Sequence, residues 1–412
     1  MATSTRRRAL HVQEPLASPA RPILRPVPKR VLLVSPQPFF EDRGTPIAVL
    51  QVAQALCQAG YAVDLLSYPV GRAVEVDGMR ILRAPNPLRI RRVPVGLSLR
   101  KLLLDATLFP MLFWIVTRER YVCIQAVEEA AFPAAWIGRL RGVPVVYDMQ
   151  SSMAEQLAHL RGLGARPLQA FFRRCERWLL RRADYVVGSV GLGDRVRAAA
   201  PSARWREWRF SDDGRPCPSV DSPKLRRTLG IPMDAPVVLY GGNFEAYQGV
   251  DRLLEAADAV RSVRPDAVFV LVGAPRPEIR RNGGIRVLER LPRSEMAGFL
   301  AMADVLVSPR AFGTNLPLKV FDYLAAEKPI VATDTPTHRI VLDETRAVLV
   351  PPSAEGLAAG ILRVLADPEG ARRLAQAARA YADAELGWLR FVRSVTDLYA
   401  EVCAPGPRRV AP

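Results

Sequence analysis

A strand, a glycine loop, a helix and a second strand follow one another in Ser308-Pro-Arg-Ala-Phe-Gly-Thr-Asn-Leu-Pro-Leu-Lys319-Val-Phe-Asp322-Tyr-Leu-Ala-Ala-Glu-Lys-Pro-Ile-Val-Ala-Thr-Asp334. Such a loop and helix start can hold an anion, because free backbone N–H groups and the helix dipole meet there. Arg310 and Lys319 are placed to add full positive charge against a phosphate. Asp322 follows one helical turn after Lys319, and a carboxylate there can accept hydrogen bonds from two adjacent ribose hydroxyls.

The same alternation of short apolar strands and helices runs through the rest of the chain. In the first half it predicts strands at 31–35, 61–67, 122–127, 143–147 and 185–189, and in the second half at 237–240, 268–272, 305–307 and 330–332. This rhythm is typical of parallel sheets covered by helices. The sequence therefore predicts an α/β fold with two Rossmann-like, doubly wound domains that face a cleft.

The chain of 412 residues is too long for one ordinary core and fits two domains. A polar, proline-bearing stretch without apolar periodicity separates the two alternating halves. The predicted segments are a basic proline-rich tail at 1–28, a first domain at 29–210, a linker at 211–233, a second domain at 234–386, a C-terminal helix at 387–403 and a tail at 404–412.

The composition favours anionic partners. Lys and Arg number 58 against 41 Asp and Glu, which gives a net charge of +17. Nucleoside diphosphates, lipid head groups and nucleic acid all fit that charge, but no nucleic-acid recognition motif is present. Five widely spaced cysteines indicate a reducing, cytoplasmic location, and three histidines without clustering predict no metal centre and no cofactor.

The longest apolar run, 102–116, is too short to span a bilayer. Basic residues flank it on both sides, at Arg100 and Lys101 and at Arg118 and Arg120. It is interpreted first as a buried helix of an α/β domain. The alternative is a helix that lies on an anionic membrane surface as a peripheral contact.

Two glycine segments are further candidates for phosphate contact. Gly241-Gly242-Asn243 opens the segment that ends at Gln248 and Gly249, after the first strand of the second domain. Gly44 lies between the first strand and the first helix. Glycine lets a backbone approach a phosphate closely, but a plain tight turn or a helix cap explains each segment equally well.

Polar residues also follow two central strands of the first domain. Glu128 and Glu129 come after one strand, and Asp148 and Gln150 after the next. Carboxyl ends of parallel strands line the cleft, although acidic residues at a helix start explain the two glutamates without catalysis. His338 is interpreted as a surface or capping histidine.

The segment Pro317-Leu-Lys-Val-Phe-Asp-Tyr-Leu-Ala resembles the donor-site signature of the retaining glycosyltransferases of family 4. That family has two Glu residues eight positions apart, and the matching positions here hold Thr314 and Asp322. The resemblance implies the GT-B fold and metal-independent transfer from a nucleoside diphosphate sugar to a glycan or lipid-linked acceptor. It also implies a last helix that crosses back onto the first domain.

The resemblance assigns site residues as follows. Arg310, Lys319 and Asp148 are the predicted catalytic residues, and donor contacts are predicted at Gly44, Gly242, Asn243, Gln248, Gly313, Thr314, Asn315, Leu316 and Asp322. The family usually has an Arg and a Lys where Asn243 and Gln248 stand, and often a His where Gln150 stands. These neutral amides keep hydrogen bonding but supply no charge.

Two other classes of protein share parts of this pattern. A non-catalytic protein that binds nucleotide sugars would tolerate the neutral substitutions. A sugar-nucleotide epimerase has a related architecture, but it needs acidic and histidine groups for proton transfer, and the cleft loops are poor in histidine.

Overall fold

The structure, a computed structural model, describes residues 28–41, 44–94, 98–152, 166–209, 222–273, 283–313 and 316–404. Its strands form two parallel sheets, each covered by helices. The predicted α/β fold with two Rossmann-like domains is therefore confirmed.

The first sheet has seven strands in the order β3-β2-β1-β4-β5-β6-β7. They are β1 Arg30–Ser35, β2 Ala62–Ser67, β3 Met79–Arg83, β4 Cys123–Val127, β5 Val145–Met149, β6 Tyr185–Ser189 and β7 Trp205–Trp208. The helices of this half are α1 Gly44–Gln58, α2 Leu99–Arg118, α3 Ala131–Arg141, α4 Arg166–Arg182 and α5 Gly193–Ala199. The strand order reverses between β1 and β4, so a crevice opens there at the carboxyl ends of the strands.

The second sheet has six strands in the order β10-β9-β8-β11-β12-β13. They are β8 Val237–Gly241, β9 Val268–Val272, β10 Ile285–Leu288, β11 Val305–Ser308, β12 Ile330–Thr333 and β13 Val348–Val350. The remaining helices are α6 Ser222–Thr228, α7 Val250–Val263, α8 Arg293–Met302, α9 Lys319–Ala325, α10 Ala354–Ala366, α11 Pro368–Glu385 and α12 Trp388–Val402. The order reverses between β8 and β11, which places a second crevice there.

The strands that the sequence pattern does not predict are β3, β7, β10 and β13. These are the two outermost strands of each sheet. An edge strand pairs on one side only, and here each one keeps partly exposed residues, so it lacks the continuous apolar run of a central strand.

The helix α6 lies within the segment 211–233 that was interpreted as a linker, whose residues 211–221 are outside the described part of the chain. The buried Arg226 fixes α6 to the second domain: its guanidinium donates to the Ala235 carbonyl at 2.7 Å and to Asp304 Oδ2 at 3.0 Å. The same Oδ2 accepts from the backbone N–H of Val237, at the start of β8. The segment is therefore anchored to the second sheet as soon as it becomes helical.

The apolar helix α2 buries one side against the first sheet, through Leu104, Leu108, Leu112 and Ile115. The interpretation as a buried helix is correct for that side. In the described part of the chain, no helix is both long and apolar enough to cross a membrane.

The last helix, α12, packs on α1 of the first domain. At its start, Trp388 Nε1 donates to Gln58 Oε1 at 2.9 Å. Near its end, the buried Tyr399 hydroxyl donates to Gln125 Oε1 at 2.6 Å, inside the first sheet. One apolar cluster includes buried residues of both sheets and of α1, α11 and α12, so the two domains share a continuous core.

Replacing Tyr399 by Phe should lower the free energy of unfolding by about 1–3 kcal/mol, because Gln125 Oε1 loses its partner in a buried site. The matched control is Tyr61→Phe, since the Tyr61 ring lies 5.9 Å from the Tyr399 ring but its residue is only partly buried. Urea unfolding measures both variants. Equal losses in the two would show that the hydroxyl of Tyr399 has no special role.

Candidate functional site

Two loops meet at the crevice of the second sheet. The β8 loop, residues 242–249, and the start of the β11 loop, residues 309–313, are joined by a hydrogen bond from the Ala311 N–H to the Tyr247 carbonyl at 2.9 Å. The rings of Tyr247 and Phe312 also meet edge to face, with centroids 6.4 Å apart. The loops therefore form one wall of the crevice.

Glycine is required where these loops approach most closely. Gly249 has φ +71°, and a Cβ added there would lie 2.0 Å from the Pro309 carbonyl oxygen. Gly242 has φ +149°, and a Cβ there would lie 2.9 Å from Tyr240 Oη and 3.2 Å from Lys319 Nζ. Both positions combine a backbone conformation that favours glycine with a lack of space.

Gly249→Ala should lower the free energy of unfolding more than Gly230→Ala does. Both glycines have positive φ, at +71° and +63°, so both changes have the conformational cost of about 1–2 kcal/mol. A Cβ on Gly230 meets nothing within 4 Å, whereas one on Gly249 must push the β11 loop away. Thermal unfolding gives the comparison, and equal losses would contradict the close approach of the loops.

Two cations lie beside these loops in what we call the cation pocket, formed by Arg310, Lys319, Tyr240, Tyr247 and Gln248. Lys319 Nζ donates to Gln248 Oε1 at 3.0 Å and lies 3.9 Å from the centroid of the Tyr240 ring. The buried Arg310 guanidinium lies 5.3 Å from the centroid of the Tyr247 ring. Aromatic faces attract cations, so the two rings hold both charges in place.

Burial disfavours the charged form of both cations in the pocket. Burial, and then the charge of Arg310, hold the pKa of the Lys319 ammonium well below its usual range. Burial likewise lowers the pKa of the Arg310 guanidinium. An anion that enters the pocket gains attraction from both cations.

The structure places the other predicted donor residues as follows. Gly313, with φ +116°, lies against the Arg310 guanidinium, and Leu316 is buried. Asn243 Nδ2 donates to Tyr247 Oη at 2.9 Å, so this amide orients a ring of the pocket. Asp322 lies half-buried on α9, one turn after Lys319. Thr314 and Asn315 lie outside the described residues.

His338 is buried behind the β11 loop, so the prediction of a surface histidine is wrong. Its Nδ1 lies 2.6 Å from the Thr333 carbonyl oxygen, and its Nε2 lies 2.8 Å from Ser308 Oγ. A carbonyl only accepts, so Nδ1 carries the proton and Nε2 accepts from Ser308. Thr333 Oγ1 in turn donates to the Arg310 carbonyl at 2.6 Å. The neutral imidazole thus fixes the strand ends that carry Arg310.

His338 should make stability depend on pH. Burial, with smaller contributions from Lys319 and Arg310, lowers its pKa from 6.5 to about 4. Between these values the unfolded chain binds a proton that the folded chain does not, so stability falls as pH falls from about 6.5 to about 4, by up to about 3 kcal/mol. His338→Gln can keep both hydrogen bonds but does not titrate.

Urea unfolding of both proteins across that range measures the effect. The stability difference between wild type and His338→Gln should change in favour of the variant as the pH is lowered. A difference that does not vary with pH would contradict the buried neutral imidazole.

On the first domain, Asp148 is fully buried at the end of β5. Its Oδ2 accepts from Gln125 Nε2 at 2.8 Å, and its Oδ1 accepts from Gln150 Nε2. Burial raises the pKa of this carboxyl to about 6. Gln150 Oε1 accepts from Ser189 Oγ at 3.3 Å. The predicted catalytic role of Asp148 stays a prediction, and the contacts seen here hold the loop in place.

Glu128 lies beside the crevice of the first sheet, directly after β4. Its backbone is left-handed, with φ +50°, which is rare for a residue with a side chain. Its Oε1 accepts from Ser151 Oγ at 2.8 Å, while its Oε2 is buried without a hydrogen bond in the described residues. Burial, and then Glu129, raise the pKa of the Glu128 carboxyl to about 8. Strain and a buried carboxyl together are typical of a functional site.

Glu128→Gln should stabilise the protein at high pH. The folded pKa of about 8 lies above the ordinary 4.5, so the wild type loses stability as pH rises between these values. The variant loses none, and its advantage should grow to about 5 kcal/mol above pH 8. Glu129→Gln is the control, because Glu129 Oε1 pairs with Lys101 Nζ at 2.6 Å. Urea unfolding should show no comparable gain there.

The structure thus gathers Arg310, Lys319, Gly242, Gln248 and Gly313 at the crevice of the second sheet. Asp148 and Gly44 belong to the first sheet, where Gly44 is exposed at the start of α1 with open space around its Cα. No local sequence motif indicates the burial of His338 or Glu128, or the place of Tyr240 and Tyr247 in the pocket. Only the fold shows these features. In the described ranges no group of His, Cys, Asp and Glu is arranged to hold a metal.

The two Rossmann-like sheets, with glycine loops and a cation pocket at a crevice, define a GT-B glycosyltransferase. The chain belongs to the group 1 glycosyltransferases of the family 4 type: residues 43–189 match the family model "Glycosyl transferase 4-like domain" and residues 235–367 match "Glycosyl transferases group 1". It is accordingly an enzyme of the glycosyltransferase class. Whether Asp322 marks a subgroup of the family stays a prediction.

Individual relatives are distant. The chain is 28% identical to alpha-D-kanosaminyltransferase of Streptomyces kanamyceticus, over 60% of this chain and 68% of that protein. It is 25% identical to phosphatidyl-myo-inositol mannosyltransferase of Mycolicibacterium smegmatis, over 82% of this chain and 86% of that one. Its fold is similar to that of HepE from Anabaena in complex with UDP-glucose, with a TM-score of 0.68 and 15% identity over 90% of this chain and 99% of the other.

Proposed function

We propose that the protein is a retaining, metal-independent glycosyltransferase that moves a sugar from a nucleoside diphosphate sugar to a glycan or lipid-linked acceptor. The observation that carries this proposal is the cation pocket, which brings Arg310 and Lys319 together beside two tyrosine rings and lowers the pKa of both through burial. A diphosphate carries negative charge that both cations attract.

The proposed reaction breaks the bond between the anomeric carbon and the diphosphate oxygen. The acceptor oxygen forms its bond to the same face of that carbon, and the acceptor proton passes to a diphosphate oxygen. Neither an enzymic nucleophile nor a metal is needed in this scheme. Arg310 and Lys319 stabilise the negative charge that develops on the leaving group, so most of the catalysis is electrostatic.

The donor contacts that we propose are those that the sequence resemblance assigns. Asp322 is proposed to accept from the ribose hydroxyls, one helical turn from Lys319. Gln248 is proposed to orient the Lys319 ammonium, which it already contacts at 3.0 Å. Gly313, Thr314, Asn315 and Leu316 are proposed to border the sugar. The fold neighbour HepE binds UDP-glucose, a donor of this chemical class.

The acceptor is proposed to enter from the first domain, past Gly44, Asp148 and Glu128. A relative that acts on phosphatidyl-myo-inositol supports a lipid-linked acceptor, and free cysteines such as the buried Cys123 support a cytoplasmic location. The enzyme is accordingly proposed to work in the cytoplasm, at the inner face of the membrane as a peripheral protein.

One observation favours a second candidate function, a protein that binds nucleotide sugars without turnover. Neutral Asn243 and Gln248 stand where the family usually has cations, so less positive charge surrounds the leaving group. If binding suffices for the biological role, this loss of catalytic charge is tolerated.

A donor panel tests the proposal. Purified protein is incubated with UDP-, GDP- and ADP-sugars, with and without glycan and lipid acceptors, and nucleoside diphosphate release is measured. Lys319→Ala should lower kcat/KM by about 100-fold or more, because one electrostatic contact to the leaving group is lost. Asp322→Ala should raise KM for the donor, since it contacts only the ribose.

Lys328→Ala is the matched control. Burial lowers the pKa of Lys328 as it does for Lys319, but Lys328 precedes β12, at the amino end of the sheet and away from the pocket. It should keep its donor activity. Saturable donor binding without release would favour the second candidate, and turnover that survives in Lys319→Ala would contradict the role of the cation pocket.

A further inference from the structure

Three helices of the first domain present an unusual outer surface, which we call the α2–α4 face. The helices α2, α3 and α4 cover the same side of the first sheet, and α3 contacts both of its neighbours. Phe132 of α3 stacks on Trp178 of α4, with ring centroids 6.0 Å apart and planes 11° from parallel. The three helices therefore form one continuous layer.

The outward side of α2 is apolar. Leu99, Leu102 and Leu103 are exposed near its start, and Phe113 and Trp114 are about half exposed near its end. Its only carboxylate, Asp105, is buried and accepts from the Tyr68 hydroxyl at 2.6 Å. A surface helix of an ordinary globular protein turns charged and polar side chains outward, so this side is suited to contact with something other than water.

The other two helices continue the pattern. Trp136 and Leu140 of α3 are each 72% exposed, and Phe171 of α4 is 57% exposed. Of the large apolar side chains exposed in the described part of the chain, most lie on these three helices. Scattered single apolar residues need no explanation, but a cluster of leucine, phenylalanine and tryptophan on one side of a domain does.

The charge of the α2–α4 face has a single sign. In the described residues, the carboxylates of these helices are Asp105 and Glu176, and both are buried. Exposed arginines surround the apolar residues: Arg100 and Arg118 on α2, Arg139 and Arg141 on α3, and Arg173, Arg174, Arg177, Arg181 and Arg182 on α4. The Arg118 guanidinium lies 4.8 Å from the centroid of the Trp114 ring, so cation and aromatic ring already lie together.

We infer that the α2–α4 face docks on the surface of an anionic lipid bilayer. Tryptophan, phenylalanine and leucine side chains insert at the level of the head groups, and the surrounding arginines contact lipid phosphates. A second copy of the chain fits less well, because a twofold contact would place the same cationic face against itself. Charge complementarity therefore selects the bilayer.

Docking through this face would orient the protein in a way that suits the proposed function. Only this point about orientation rests on the proposed function. The helix α3 begins at Ala131, directly after Glu128 and the crevice of the first sheet. Docking through α2 and α3 therefore brings the entrance of the proposed acceptor site close to the lipid surface. Binding to vesicles itself requires no catalytic activity, so the two ideas can fail separately.

Vesicle flotation tests the inference with the full chain. Vesicles of phosphatidylcholine, with and without phosphatidylglycerol, are mixed with three proteins. These are the wild type, the double variant Phe113→Ser/Trp114→Ser on α2, and the double variant Trp136→Ser/Leu140→Ser on α3. Wild type should float with the anionic vesicles and far less with the neutral ones. Each double variant should bind anionic vesicles at least about tenfold more weakly, since two exposed apolar side chains no longer insert.

Two matched controls test whether the location of the replaced side chains matters, or only their chemical type. Leu389→Ser/Val263→Ser removes two exposed apolar side chains elsewhere and should bind as wild type does. Arg173→Gln/Arg174→Gln/Arg177→Gln should weaken binding by about tenfold or more, whereas Arg290→Gln/Arg372→Gln/Arg393→Gln removes the same charge from exposed sites elsewhere and should have a small effect. Circular dichroism verifies folding of every variant.

Tryptophan fluorescence gives a second readout. The emission of wild type should shift to shorter wavelength on anionic vesicles, and this shift should shrink when Trp114 and Trp136 are both replaced by Phe. Unchanged binding by the apolar variants would overturn the inference. It would also be overturned if wild type failed to bind and instead formed dimers in sedimentation equilibrium that the apolar variants abolish, because the face would then contact a second copy.

Discussion

The repulsion between two cations at the crevice of the second sheet is the constraint around which the site is organised. Burial lowers the pKa of both Arg310 and Lys319, and the charge of Arg310 lowers the pKa of Lys319 further. Two tyrosine rings and one amide compensate for part of this cost. The arrangement persists because the loops that carry it are fixed by backbone contacts that only glycine permits, and by a buried neutral imidazole behind them. An anion relieves the repulsion, and this links the stability of the site to its affinity.

The inner strands of both sheets could be predicted from the sequence, but the edge strands could not. Inner parallel strands are buried on both faces, so β1, β8 or β9 has a continuous apolar run that stands out in the sequence. Outer strands lack that run: Trp205-Arg-Glu-Trp208 contains as many charged as apolar residues. Its strand state depends on pairing with β6, which no local pattern reveals.

The site divides in the same way. Arg310, Lys319 and Asp322 have a fixed spacing on a loop and a helix, so residues that are close in sequence indicate the proposed donor side. The proposed acceptor side is assembled from residues far apart in the chain, such as Glu128 with Ser151 and Gln125 with Tyr399. Glu128 looks like an ordinary acidic residue at a helix start until the fold shows its left-handed backbone and its buried oxygen. Likewise, His338 has no neighbouring motif that indicates its burial.

The return of α12 to the first domain has a consequence for how the chain acquires its structure during synthesis. The second domain is made from consecutive residues, but the first shares its apolar cluster with Phe391, Val395 and Leu398 of the last helix. The ribosome delivers these residues after every strand of both sheets. The first domain is therefore completed after the second, and part of its apolar surface stays uncovered until α12 emerges.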